Sequence, residues 1–166
     1  MKVQVNVYGF LLILLAGTSA YAAETKKFGD WIVDLDKTYA EAYSSNSSGS
    51  TIGMFCLKSS QECMYYLSTG DTCTVDTKTV GLINAETGAW SVELYCTKIE
   101  DGRHINFFTN FDEIDHLIKS NKSVGLALPM QDGQFKVIRF SLLGSEKATT
   151  EAARYISTGA PSDTYL

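Results

Sequence analysis

Apolar positions along this chain fall mostly two residues apart. The cleanest case runs from Trp90 to Thr97, where Trp90, Val92, Leu94 and Cys96 share one face and Ser91, Glu93, Tyr95 and Thr97 the other. A strand turns successive side chains to opposite faces, so this run predicts a β-strand with one buried and one wetter face. Lys27 to Leu35 reads as an opening strand, because Trp31, Val33 and Leu35 alternate with Ile32 and Asp34. Further strands are expected at 51–57, 63–67, 79–83, 104–108, 123–130 and 135–143. Polar turns separate them, among them Ser59-Ser60-Gln61-Glu62, Asp101-Gly102 and Asp132-Gly133.

The period changes in two places. Phe111, Ile114, Leu117 and Ile118 make a helical stripe, with Asn110 placed to cap it, acids near its start and Lys119 near its end. After Gly144, Ser145 is expected to cap a second helix whose stripe is Ala148, Ala152, Tyr155 and Ile156. Tyr39 to Tyr43 reads as a short helical turn, the serine-rich run from Ser44 to Ser50 as a mobile loop, and 157–166 as a loose tail. Together these predict a mainly β protein: an antiparallel β-sandwich or barrel of roughly eight strands, with one or two short helices.

The amino end follows another logic. Lys2 precedes an apolar run from Val7 to Ala16, and Ala20-Tyr21-Ala22 fits the small-x-small rule of signal-peptide cleavage. The run is about half the roughly 20 residues of a spanning helix. A signal peptide over 1–22, cut near Ala22, is therefore expected to precede a single β-rich domain over 23–166. No later stretch is long and apolar enough to cross a bilayer, so the expected setting is periplasmic or secreted.

That setting changes the meaning of the four cysteines, Cys56, Cys63, Cys73 and Cys96. An even number behind a signal peptide predicts disulfides. Three pairings are possible. The leading one is Cys56–Cys63, closing a hairpin, with Cys73–Cys96 tying a loop to the cleanest strand. Zinc fits poorly, because no C-x2-C pair occurs and neither histidine is close in sequence.

The net charge of −5 argues against nucleic acid and anionic membrane as partners. Candidate chemistry is sparse. Nucleophilic catalysis needs a base beside the nucleophile, and His104 and His116 lie in no recognisable motif. Asp112, Glu113 and Asp115 sit where they favour a helix start. No phosphate loop, basic run or calcium loop is present. No catalytic, metal or cofactor site is therefore assigned. The expected activity is binding of another protein. The candidate face is Tyr65, Tyr66, Glu93, Tyr95 and Arg139: tyrosine and arginine are favoured at interfaces, although Arg139 also fits an outward residue paired with an acid.

Two short motifs resemble a known family. Phe28-Gly29-Asp30-Trp31 is similar to the opening of the invasion-associated locus B family of small periplasmic or secreted bacterial proteins. Phe140-Ser141-Leu142-Leu143-Gly144-Ser145, followed by an alanine-bearing helix, resembles that family's closing segment. The chain departs from it in lacking a cysteine soon after Trp31. The resemblance implies a disulfide-bearing β-sandwich, no known catalysis, and a role in host-cell interaction or the envelope. Three readings follow: an envelope- or virulence-associated binding protein; a periplasmic inhibitor or immunity protein against a toxin or hydrolase; and a hydrolase with an unfamiliar site.

Overall fold

The computed structural model describes residues 24–158 apart from 100 and 131; the expected signal peptide and 159–166 lie outside the described residues. The strands are β1 (Glu24–Phe28), β2 (Trp31–Leu35), β3 (Tyr39–Ser45), β4 (Thr51–Leu57), β5 (Glu62–Ser68), β6 (Lys78–Ala85), β7 (Gly88–Lys98), β8 (His104–Phe108), β9 (Ser123–Pro129) and β10 (Phe135–Ser141). Two helices, α1 (Phe111–Ser120) and α2 (Ser145–Ser157), complete them. All neighbouring strands are antiparallel, in one ten-stranded sheet of order β1-β2-β3-β4-β5-β8-β7-β6-β9-β10. The mainly β, antiparallel, disulfide-bonded fold is as expected. The sheet does not close into a barrel.

The two further strands have physical causes. Gly29, at φ +58°, lets the chain reverse, so the expected opening strand becomes the hairpin β1–β2. Tyr39 to Tyr43 forms part of β3 instead of a helical turn. Ala40 and Ala42 point into the core opposite Cys56 and Met54, leaving room for α2 against the sheet, and this packing overrides local helix propensity. The serine-rich run is shorter and more ordered than its composition implies. Asn46 Oδ1 accepts from the Ser48 and Ser50 amides, both at 3.0 Å, and from the Ser48 hydroxyl at 2.8 Å.

The inner face carries the core, including Trp31, Met54, Tyr65, Leu67, Ile83, Leu94, Leu126 and Ile138. Helix α2 covers β2, β3 and β4, and α1 packs on α2 and β5. As expected, Asn110 caps α1: it accepts from the Glu113 amide at 3.3 Å and donates back to that carboxylate at 3.0 Å. Ser145 does not cap α2. Gly144 is the cap residue, and the Ser145 hydroxyl instead donates to the Ile118 carbonyl at 2.6 Å, tying the two helices.

The sheet curls until its last strand meets the β1–β2 turn, the start of β2 and the loop after β3. Trp31 Nε1 donates to the Ser141 carbonyl at 3.0 Å, the Asp30 amide to Leu143 O at 2.9 Å, and Asn46 Nδ2 to Arg139 O at 3.2 Å. Gly29 and Gly144 lie back to back here. A Cβ on Gly144 would stand 2.0 Å from the Phe28 carbonyl oxygen, and one on Gly29 would stand 2.4 Å from that of Leu143. The two motifs that carried the resemblance therefore form one clasp between the β1–β2 turn and the segment that leads from β10 into α2.

Both disulfides have the leading pairing. Cys56–Cys63 bridges directly opposed residues of the β4–β5 hairpin. Cys73–Cys96 anchors the segment 69–77, which must pass β8 and β7 to reach β6. Backbone bonds between Asp76 and Cys96 (3.0 Å) and between Cys96 and Thr77 (2.9 Å) hold the same crossing.

Candidate functional site

Strand alternation sends Asp34, Glu41, Tyr43, Phe55, Tyr66 and Phe107 to the outer face, where they line a cleft of about 550 Å³. Its geometry begins at a glycine. Gly53 in β4 is the register partner of both Tyr43 in β3 and Tyr66 in β5. A Cβ there would come within 2.8 Å of the Tyr66 ring and 2.9 Å of the Ala42 carbonyl and of Tyr43 Cβ. With no side chain at that point, the Tyr66 ring crosses β4 and its hydroxyl reaches Glu41 on β3, forming a short hydrogen bond. Tyr66 is only 6% exposed although it belongs to the outer face.

Asp34 and Glu41 are direct cross-strand partners. Two carboxylates so placed repel each other. Hydroxyls offset part of this: Thr25 donates to Asp34 Oδ1 at 2.7 Å, and Tyr43 to Asp34 Oδ2 at 3.2 Å. Burial pushes the Glu41 carboxyl above the usual carboxylate range; the Tyr66 hydrogen bond pulls the other way, and the Asp34 charge adds to the rise. Burial also pushes the Tyr66 and Tyr43 hydroxyls up, with the adjacent carboxylates adding to it. Both phenols therefore keep their protons and act as donors. Arg103 lines the rim, and its Nε is engaged by Asp101 Oδ2 at 2.5 Å. Tyr39 stacks on Phe55 with ring centroids 5.3 Å apart, extending the aromatic wall.

The sequence-derived face divides. Tyr66, Tyr95 and Glu93 do share the outer face, linked through Phe107, which pairs with both Tyr66 and Tyr95. The Tyr95 hydroxyl donates to Asp76 at 2.6 Å, and Glu93 pairs with Lys78 at 2.8 Å. Tyr65 belongs to the opposite face: it is fully buried, and its hydroxyl donates to Asp115 of α1 at 2.7 Å. The alternation of β5 makes that division unavoidable, because adjacent residues cannot share a face. Arg139 is exposed on β10, three strands beyond β7, beside Val137 in a separate depression, and has no ion pair among the described residues. Sequence reasoning missed Asp34, Glu41, Gly53 and Phe107.

Neither histidine enters the cleft. His116 is exposed on α1, and its Nδ1 lies 3.4 Å from the Ser120 hydroxyl. His104, 31 residues beyond Cys73 in sequence, lies against it in space: its Nδ1 is 2.8 Å from the Cys73 carbonyl and 3.1 Å from the Cys73 amide. Cys73, Cys96 and His104 would suit a soft metal by position, but the two sulfurs are bonded to each other.

These features define a class of fold: a curled antiparallel sheet with two helices on its inner face, two disulfides, and an acidic, aromatic cleft outside. No family model and no curated protein matches the chain. Among solved structures, it is similar to invasion associated protein B from Bartonella henselae, with 14% identity, 82% of this chain and 98% of that chain covered, and a TM-score of 0.55. At that identity the likeness is one of fold, and a distant one.

Proposed function

We propose that this is a non-enzymatic periplasmic or secreted protein, envelope- or virulence-associated, that acts by binding another protein through the outer face of its sheet. The cleft around Tyr66 carries this reading. The bare backbone of Gly53 in the middle of β4 and the large aromatic ring laid across it hold an open, polar-and-aromatic concavity, and its tyrosine and phenylalanine rings are of the kind favoured where proteins meet. Two disulfides support a setting outside the cytoplasm. Among the described residues no helix is long and apolar enough to cross a membrane. The name of the structural neighbour, an invasion associated protein, supports a host-contact or envelope role.

The test is affinity capture from envelope extract with the wild-type chain and with Phe107→Ser, partners being identified by mass spectrometry. Phe107 is partly exposed, so the variant keeps the inner core. A partner held by wild type and lost by Phe107→Ser is expected. An unchanged set of partners would remove the cleft from the account. A captured toxin or hydrolase would turn the reading toward an inhibitor or immunity protein.

A further inference from the structure

We propose that the cleft receives a basic side chain, lysine or arginine, presented by the partner protein, with Asp34 and Glu41 meeting its charge and Phe55, Tyr66 and Phe107 its apolar stem. This rests on the reading of the cleft as the contact surface and names the chemistry that the surface selects.

The cavity argues for it first. Its volume of about 550 Å³ is ample for one long side chain, and the rings of Tyr43, Phe55, Tyr66 and Phe107 line it beside the carboxylate pair. A long basic side chain has this mixed character, an apolar stem with a charged head. Aromatic faces attract cations within about 6 Å of the ring centre, and a guanidinium stacks on them as well.

Charge complementarity argues for it second. Asp34 and Glu41 face each other across β2 and β3, and their hydrogen bonds come from Thr25, Tyr43 and Tyr66, all neutral hydroxyls. Neither carboxylate has an ion pair among the described residues; Arg103, the cation at the rim, is paired with Asp101, and its charge acts on Glu41 only as the smallest of the influences on that carboxyl. A hydroxyl satisfies a lone pair without cancelling the charge. The repulsion between the two acids, only partly offset by these hydroxyls and by the Arg103 charge, is one that an incoming cation removes. The net charge of −5 would draw a basic partner toward the chain over longer range.

The test uses the chain with both disulfides formed, labelled for two-dimensional amide NMR, and four probes: the N-acetyl methylamides of lysine, arginine, norleucine and glutamate. The expected result is saturable shifts at Glu41, Tyr43, Gly53 and Phe107 with the lysine and arginine probes, in the millimolar range. Norleucine should bind about tenfold more weakly and glutamate not detectably. Glu41→Gln should weaken the basic probes about tenfold, as should Asp34→Asn, which guards against one variant failing to fold. Equal binding of norleucine, or unchanged binding by both variants, overturns the basic-side-chain proposal and leaves the cleft as a contact surface. Shifts only outside the cleft, or none with any probe, overturn the proposal and count against the cleft as well.

Discussion

Tyr65 and Tyr66 sit side by side in β5, and each donates its hydroxyl to a carboxylate: Tyr65 to Asp115, Tyr66 to Glu41. On the inner face Asp115 also accepts from Lys119 at 2.8 Å, so that tyrosine joins a neutralised pair that fixes α1 to the sheet. On the outer face Glu41 has a second carboxylate beside it and a cleft in front of it. The same bond completes a packed layer on one side and shapes an opening on the other. The lesson is that a polar contact takes its role from the charge balance and the space around it.

The contrast between the faces can be broken first at Trp31. It is fully buried on the inner face, and its indole N–H joins β2 to the last strand. Trp31→Ala is expected to cost about 3–5 kcal/mol, read as a lowered denaturation midpoint. Next come the cross-links. Replacing Cys73 and Cys96 by serine frees the long crossing segment and should cost about 3 kcal/mol, against about 2 kcal/mol for Cys56 and Cys63, whose loop is shorter. An unchanged melting curve under full reduction would contradict both figures.

Two carboxyls then separate the faces by pH. Hydrogen bonds from Arg154 and Lys26 hold Glu151, on α2, at about 2. Its folded value lies below its ordinary one of 4.5, so its contribution is present above pH 4.5 and lost as pH falls toward about 2. Glu151→Gln is expected to cost about 1 kcal/mol at neutral pH and nothing at the acid end. Glu41 has the opposite sign. Its folded value is raised, so its contribution is present below 4.5 and lost as pH rises through the raised value. Glu41→Gln, which stays neutral, should therefore gain on wild type as pH rises from 4 to 8 in parallel denaturation series. The smallest effect is expected at Leu82, 55% exposed on the outer face: Leu82→Ser should change stability by less than about 0.5 kcal/mol.

Much of the inner face was legible because burial leaves a period. The β7 alternation placed Val92, Leu94 and Cys96 inward, and the short spacing of Cys56 and Cys63 across one polar turn gave their pairing. Strand β3 was harder to read. Its alanines and glutamate favour a helix locally, and it is a strand because small side chains fit beneath α2. The cleft was the least legible. Its walls come from β2, β3, β4, β5 and β8, and no spacing in the chain announces that Asp34 meets Glu41 or that Tyr66 reaches over Gly53. One signal was present: a glycine inside the apolar run Ile52-Gly53-Met54, a position that costs strand stability unless another group needs the space.

The central claim is that the outer cleft can be altered without touching the fold. Capture from envelope extract and thermal melting, run together on wild type and Phe107→Ser, test it most directly. The account predicts that the partner is lost while the melting temperature stays within a few degrees of wild type. Retention of the partner at full strength by the folded variant would contradict it.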